Sequence, residues 1–252
     1  MHQARTNKYE TIHSHWVEEF KKVASHKGVS RFARGEISTP HYVSLLREIF
    51  FYVRENAPIQ ASFTIHLRGE DKKIIGSMLR HAYSESGADE LILHDLRALG
   101  FNTDGIESTR PLPATTSLIA YAYYQAHFVK PIGYLGILFN KEFTFLSISK
   151  DFIQQFSRIG IPEEAISFLE DHAHVDIAHQ KLLEKYIEVM VRTEDDIQEI
   201  KYAISVSIER WSEMLNAAIA RGDVWILEDG NRESASKRRT LQTTPNAQNP
   251  QS

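Results

Sequence analysis

Apolar residues recur along this chain at steps of three and four, and almost nowhere in the strict alternation that marks a half-buried strand. From about Tyr9 to His26, the residues Ile12, Trp16, Phe20 and Val23 share one helical face. Thr39 followed by Pro40 reads as an N-cap with proline at the first helical position, opening a helix with Tyr42, Leu45, Leu46, Ile49, Phe50 and Val53 on its core side. Pro58 should kink or break it before a continuation through Phe63 and Leu67, and Gly69 should end it. Further helices are expected over Asp71–Ser86 and, after Gly87, over Leu91–Leu99, with Phe101–Pro113 as the main internal loop. The pattern resumes over Ala114–Leu146, kinked near Pro131 and Gly133, then over Asp151–Arg158, Pro162–Val191 and Glu194–Arg221. Beyond Asp229 the chain is rich in Ser, Thr, Asn, Gln and Pro, which predicts a disordered polar tail over 229–252 behind one helical domain over 1–228.

Composition narrows the chemistry. The 252 residues include no cysteine, which removes disulfides, thiolate metal sites, iron–sulfur clusters and a cysteine nucleophile. Any metal must be held by nitrogen and oxygen. A net charge of −4 with scattered Lys and Arg offers no basic stripe, so nucleic acid is not an expected partner. No run approaches the roughly 20 apolar residues of a membrane span, and the polar Met1–Glu10 segment has no leader-like core. These features together predict a cytoplasmic location.

The chemistry-bearing residues concentrate on the helix Pro162–Val191. Its apolar stripe runs through Leu169 and on to Leu183, Ile187 and Met190, and between those ends it holds His172, Asp176 and His179. Spacings of four and then three put all three on one face, the one aimed at the core. Ionisable groups in succession at core positions need a compensating partner, and a cation supplies one. His nitrogen with Asp oxygen suits iron, manganese or zinc, and the lack of thiolates turns the choice toward non-heme iron or manganese. A buried hydrogen-bond network or a solvated face remains a competing reading of the same residues.

A metal site in a helical bundle draws further ligands from facing helices. Glu142 falls in line with Leu135 and Leu138 within an otherwise apolar stretch, although beside Lys141 it also reads as a surface acid. The segment His81-Ala82-Tyr83-Ser84-Glu85-Ser86-Gly87, followed by Glu90 and His94, offers one or two carboxylates and a histidine across a helix interruption.

A Glu-x-Gly turn leading to a histidine, a later Leu-Gly-x-x-x-x-x-Glu and a final His-x-x-x-Asp-x-x-His together resemble the heme-oxygenase-like di-iron oxidases, relatives of the TenA and PqqC folds. Gly35–Tyr42 through Phe51–Arg54 also looks like the second helix of that family, and the likeness spans roughly Gly35 to Arg221. The resemblance implies a single-domain, all-α, heme-oxygenase-like (TenA-like) bundle of about seven helices. It implies Glu85, His94, Glu142, His172, Asp176 and His179 as ligands of two iron ions, Fe(2+)/Fe(3+), per chain. Ser84 stands where family members commonly carry an acid, which leaves Glu90 as a substitute for Glu85.

The activity so implied is an oxygenase or oxidase reaction with O2 as cosubstrate. A small organic substrate, amino-acid-derived or fatty-acid-like, would undergo N-oxygenation, desaturation or oxidative C–C cleavage. Phe50, Tyr52, Tyr123, Tyr124, Phe128 and Phe139 could line its pocket, although such aromatics also serve as plain core. The resemblance leaves room for an external electron donor, and two wide apolar stripes leave room for a homodimer. The alternatives are a metal-free TenA/PqqC-like enzyme and a non-catalytic iron-binding helical protein. The TenA reaction relies on a cysteine that this chain lacks, and a ferritin-like bundle would need two Glu-x-x-His pairs where only Glu10–His13 occurs.

Overall fold

The computed structural model describes residues 7–23, 25–127 and 131–243, with the side chains of 33, 145–155, 157, 173–178 and 228–243 lying outside the description. Among the described residues there are ten α-helices, five 3-10 segments and no strand. The helices are α1 (Lys8–Val23), α2 (Lys27–Ala33), α3 (Thr39–Val53), α4 (Asn56–Phe63), α5 (Ile75–Ser84), α6 (Ala88–Ala98), α7 (Pro113–His127), α8 (Tyr134–Arg158), α9 (Ser167–Met190) and α10 (Glu194–Thr243). No helix among them is long and apolar enough to cross a membrane.

The long helices stand where the spacing predicts them, and the differences have local causes. Ser38 rather than Thr39 caps α3: its side chain meets the turn above, while His41 Nδ1 accepts a hydrogen bond from the Ser38 amide at 3.0 Å. A break at Arg54 and Glu55 precedes Pro58, so proline sits in the first turn of α4, where its missing N–H costs little. The expected interruption between Leu146 and Asp151 does not occur, and α8 runs on to Arg158. Helix α10 continues to Thr243 where an end near Arg221 is expected. The added segment carries the apolar run Val224-Trp225-Ile226-Leu227 before turning polar, and the end of the expected polar tail, 244–252, lies outside the described residues.

Helix α10 is the central post, packed against α1, α2, α3, α7 and α8. On one side α3 and α6 close a core of Tyr42, Leu46, Phe50, Ile92, Leu96, Phe168 and Leu215. On the other, α1, α8 and α9 enclose Ile12, Trp16, Leu135, Phe139, Leu183, Tyr186 and Ile204. Gly136 sets the α8–α10 approach, since a Cβ there would stand 2.6 Å from the Ile200 carbonyl oxygen.

Two buried acids tie helix starts from a distance. Glu48 accepts from the Leu112 amide at 2.8 Å and from the Thr115 hydroxyl at 2.5 Å, capping α7. Asp95, fully buried, accepts from the Ser167 and Phe168 amides at 3.0 Å each and from the Ser167 hydroxyl at 2.5 Å. These are N-terminal donors of α9 that the helix itself cannot satisfy. Asp95 therefore fixes the start of the helix that carries His172, Asp176 and His179.

Candidate metal centre

Four buried side chains from three helices meet between α5, α8 and α9. His81 lies in the last turn of α5, and Glu85, four residues on, is that helix's C-cap, so both point the same way. Gly87, with φ of +91°, then reverses the chain into α6. Glu142 comes from α8 and His179 from α9, and one ligand atom from each of the four lies within 4.8 Å of all the others. His81 Nε2 is 3.2 Å from Glu142 and 3.7 Å from Glu85, while His179 Nδ1 is 3.0 Å from Glu142 and 3.3 Å from Glu85.

The hydrogen bonds orient the rings. The Ser84 hydroxyl donates to the His81 carbonyl at 2.8 Å, so toward His179 Nε2, 3.2 Å away, it accepts. That puts the proton of a neutral His179 on Nε2 and turns the Nδ1 lone pair toward two carboxylates. A lone pair facing two anions calls for a cation between them, either a second proton or a metal ion. His81 Nδ1 is buried with no hydrogen-bond partner among the described residues.

Burial pushes the His81 pKa down against the opposing pull of Glu142, which favours the neutral, ligating imidazole. Burial would raise the Glu142 carboxyl, but Lys141, and hydrogen bonds from His179 and His81 when their facing nitrogens carry protons in place of a metal, hold it well below the usual carboxylate range. Ligand atoms about 2.1 Å from a shared ion lie no more than about 4.2 Å apart, so a slight inward movement of this set would suit one cation. Two imidazoles and two carboxylates form a donor set that fits iron, manganese or zinc.

Of the six residues expected at the site, Glu85, Glu142 and His179 are brought together here. His172 is buried nearby, its Nδ1 donating to the Phe168 carbonyl at 2.9 Å, which leaves the lone pair on Nε2. It shares a cleft of about 260 Å³ with Ser84, Glu85 and Leu91. Burial lowers its pKa too, against the pull of Glu85. Asp176 lies on α9 between the two histidines, its side chain outside the described residues.

His94 is not part of the cluster. α6 buries Ile92, Leu93, Asp95 and Leu96, which turns His94 outward with 60% of its side chain exposed. Glu90 is exposed as well, whereas Glu85 is buried. His81 stands where a histidine partner for Glu85 is wanted. Its signal was readable: Ile74, Met78, His81, Ala82 and Glu85 step by three and four along one face.

Of the aromatics considered for a pocket, Phe50, Tyr52 and Phe139 are buried, Tyr124 is half exposed, and Phe128 lies outside the described residues. Tyr52 faces the centre, where burial pushes its phenol up to about 12 in the company of Lys141, Glu142 and Glu85.

This architecture is that of the heme-oxygenase-like proteins. It superposes on a domain of unknown function with that fold from Shewanella denitrificans OS217, with a TM-score of 0.72, 20% identity and 96% of each chain covered. A TenA homologue from P. horikoshii OT3 matches with a TM-score of 0.70 at 10% identity, covering 86% of this chain and 100% of that one. Heme oxygenase-1 from the cyanobacterium Synechocystis sp. PCC6803, solved with heme, matches with a TM-score of 0.70 at 11% identity, covering 90% and 99%. No curated protein sequence matches. The family model for iron-containing redox enzymes matches residues 43–211, so the chain belongs to that family.

Proposed function

We propose that the chain is a non-heme, O2-dependent iron oxidoreductase acting on a small organic substrate, amino-acid-derived or fatty-acid-like. The observation that carries this reading is the pair of buried carboxylates facing imidazole nitrogens of His81 and His179 within 4.8 Å. His81, Glu85, Glu142 and His179 would hold one ion, with His81 in the place first expected of His94. His172 and Asp176, with Glu85 shared across the cleft, are assigned to a second.

Ferrous iron held by these residues would supply electrons for the reduction of O2. The remaining work belongs to the chain. Ser84 holds His179 in one tautomer and orientation. Phe139, Leu138 and Tyr134, all buried on α8 with Glu142, keep bulk water from the carboxylates.

O2 uptake by the anaerobically reduced, iron-loaded protein tests the reading. The wild type should consume O2 in proportion to bound iron, and His179→Ala should lose at least 90% of that uptake, about 1.4 kcal/mol or more of barrier. Equal uptake by the two proteins would remove the cluster from the reaction.

A further inference from the structure

Lys141 stands against this cluster with no place among its ligands. Its side chain is only 6% exposed, and its Nζ stands 2.9 Å from Glu85 Oε2 and 3.1 Å from Glu142 Oε1. These are ion-pair distances to both acids at once, and no neutral group among the described residues shares the buried Nζ. An ammonium placed for its own sake would satisfy its three donors. This one is spent on the two carboxylates of the metal site.

We propose that Lys141 is a resident cation of the metal centre: it neutralises the Glu85–Glu142 pair in the metal-free protein and weakens metal binding, because an arriving ion must displace it from both carboxylates. The inference rests on the metal reading above. Without metal or Lys141, the two buried carboxylates would have only the histidine rings against them, and a buried charge deprived of its partner is strongly destabilising. With metal, a divalent ion and an ammonium compete for the same oxygens a few ångströms apart in a poorly screened interior. Lys141 thus supports the empty fold and opposes loading, two effects of opposite sign from one charge.

That opposition is what the experiment reads. Full-length wild type, Lys141→Met and Lys141→Gln are titrated anaerobically with ferrous iron against a competing chelator, and the melting temperature of each metal-free protein is recorded. The neutral variants should bind iron at least about tenfold more tightly than wild type, while their metal-free melting temperatures fall by roughly 10 °C. Gln keeps polar contact with the carboxylates and serves if Met does not fold. Iron binding by wild type with unchanged or weaker binding by the neutral variants would overturn the inference and leave the metal site standing. Binding by neither wild type nor variants would instead bring down the metal reading, and this inference with it.

Discussion

Two histidines flank Glu85 in sequence, His81 before it and His94 after it, and only His81 shares its buried face. His81→Ala should therefore weaken ferrous iron binding by about 100-fold or more, as loss of a direct ligand does, whereas His94→Ala should leave it within about threefold. Calorimetric titration of the two variants decides between them, and equal losses would return His94 to the site. The miss has a physical origin. The family likeness draws attention downstream of the Glu-x-Gly turn, but α6 begins after that turn with its own phase, so nothing beyond Gly87 need face the same way as Glu85. Lys141 misled in a related manner. Beside Glu142 it reads as the mark of a surface, yet the apolar run Leu135–Phe143 leaves α8 no solvent face there, and the lysine is drawn in by the charge of the acids.

At the scale of elements, the stripe on α9 was legible because one long helix keeps its phase, so Leu169, His172, His179 and Leu183 are all buried. What the spacing could not reveal is how that helix is held. Its first amides are met by Asp95, 72 residues earlier in sequence, a contact that no local pattern encodes. Asp95→Ala should lower unfolding stability by about 2–3 kcal/mol, the loss of hydrogen bonds from a buried ionised acceptor to helix-terminal amides. Denaturant unfolding of the metal-free protein checks this, and a change below about 0.5 kcal/mol would show that α9 holds its start by packing alone. The continuation of α10 past Arg221 was also not legible, because Gly222 and Gly230 punctuate it and beyond Leu227 its polar composition lacks the apolar stripe by which a buried helix is recognised.

For the whole molecule, burying titratable groups to form a site makes the fold sensitive to acid. Burial holds the folded pKa of His81 and of His172 below the ordinary histidine value. Between about pH 6.5 and those lower folded values, the unfolded chain binds protons that the folded chain does not, so stability falls as pH falls through that window. Glu142, held below the usual carboxylate range, adds a loss of the same sign at lower pH. The melting temperature of the metal-free protein should thus drop steadily from pH 7 to pH 5, and a flat profile would mean that these groups titrate as they do in water. With iron bound the fall should be steeper, since protons then compete with metal for the same nitrogens and oxygens.

The central claim, that the cluster on α5, α8 and α9 is an iron centre that reacts with O2, is met most directly by anaerobic titration of the metal-free protein with ferrous iron. Admission of O2 while the visible spectrum is recorded completes the measurement. Two equivalents bound per chain, with a new absorption band on oxygenation that is absent in Glu142→Ala, is the expected result. No binding by a correctly folded wild type would contradict the claim and leave His81, Glu85, Glu142 and His179 as a structural polar cluster compensated by Lys141.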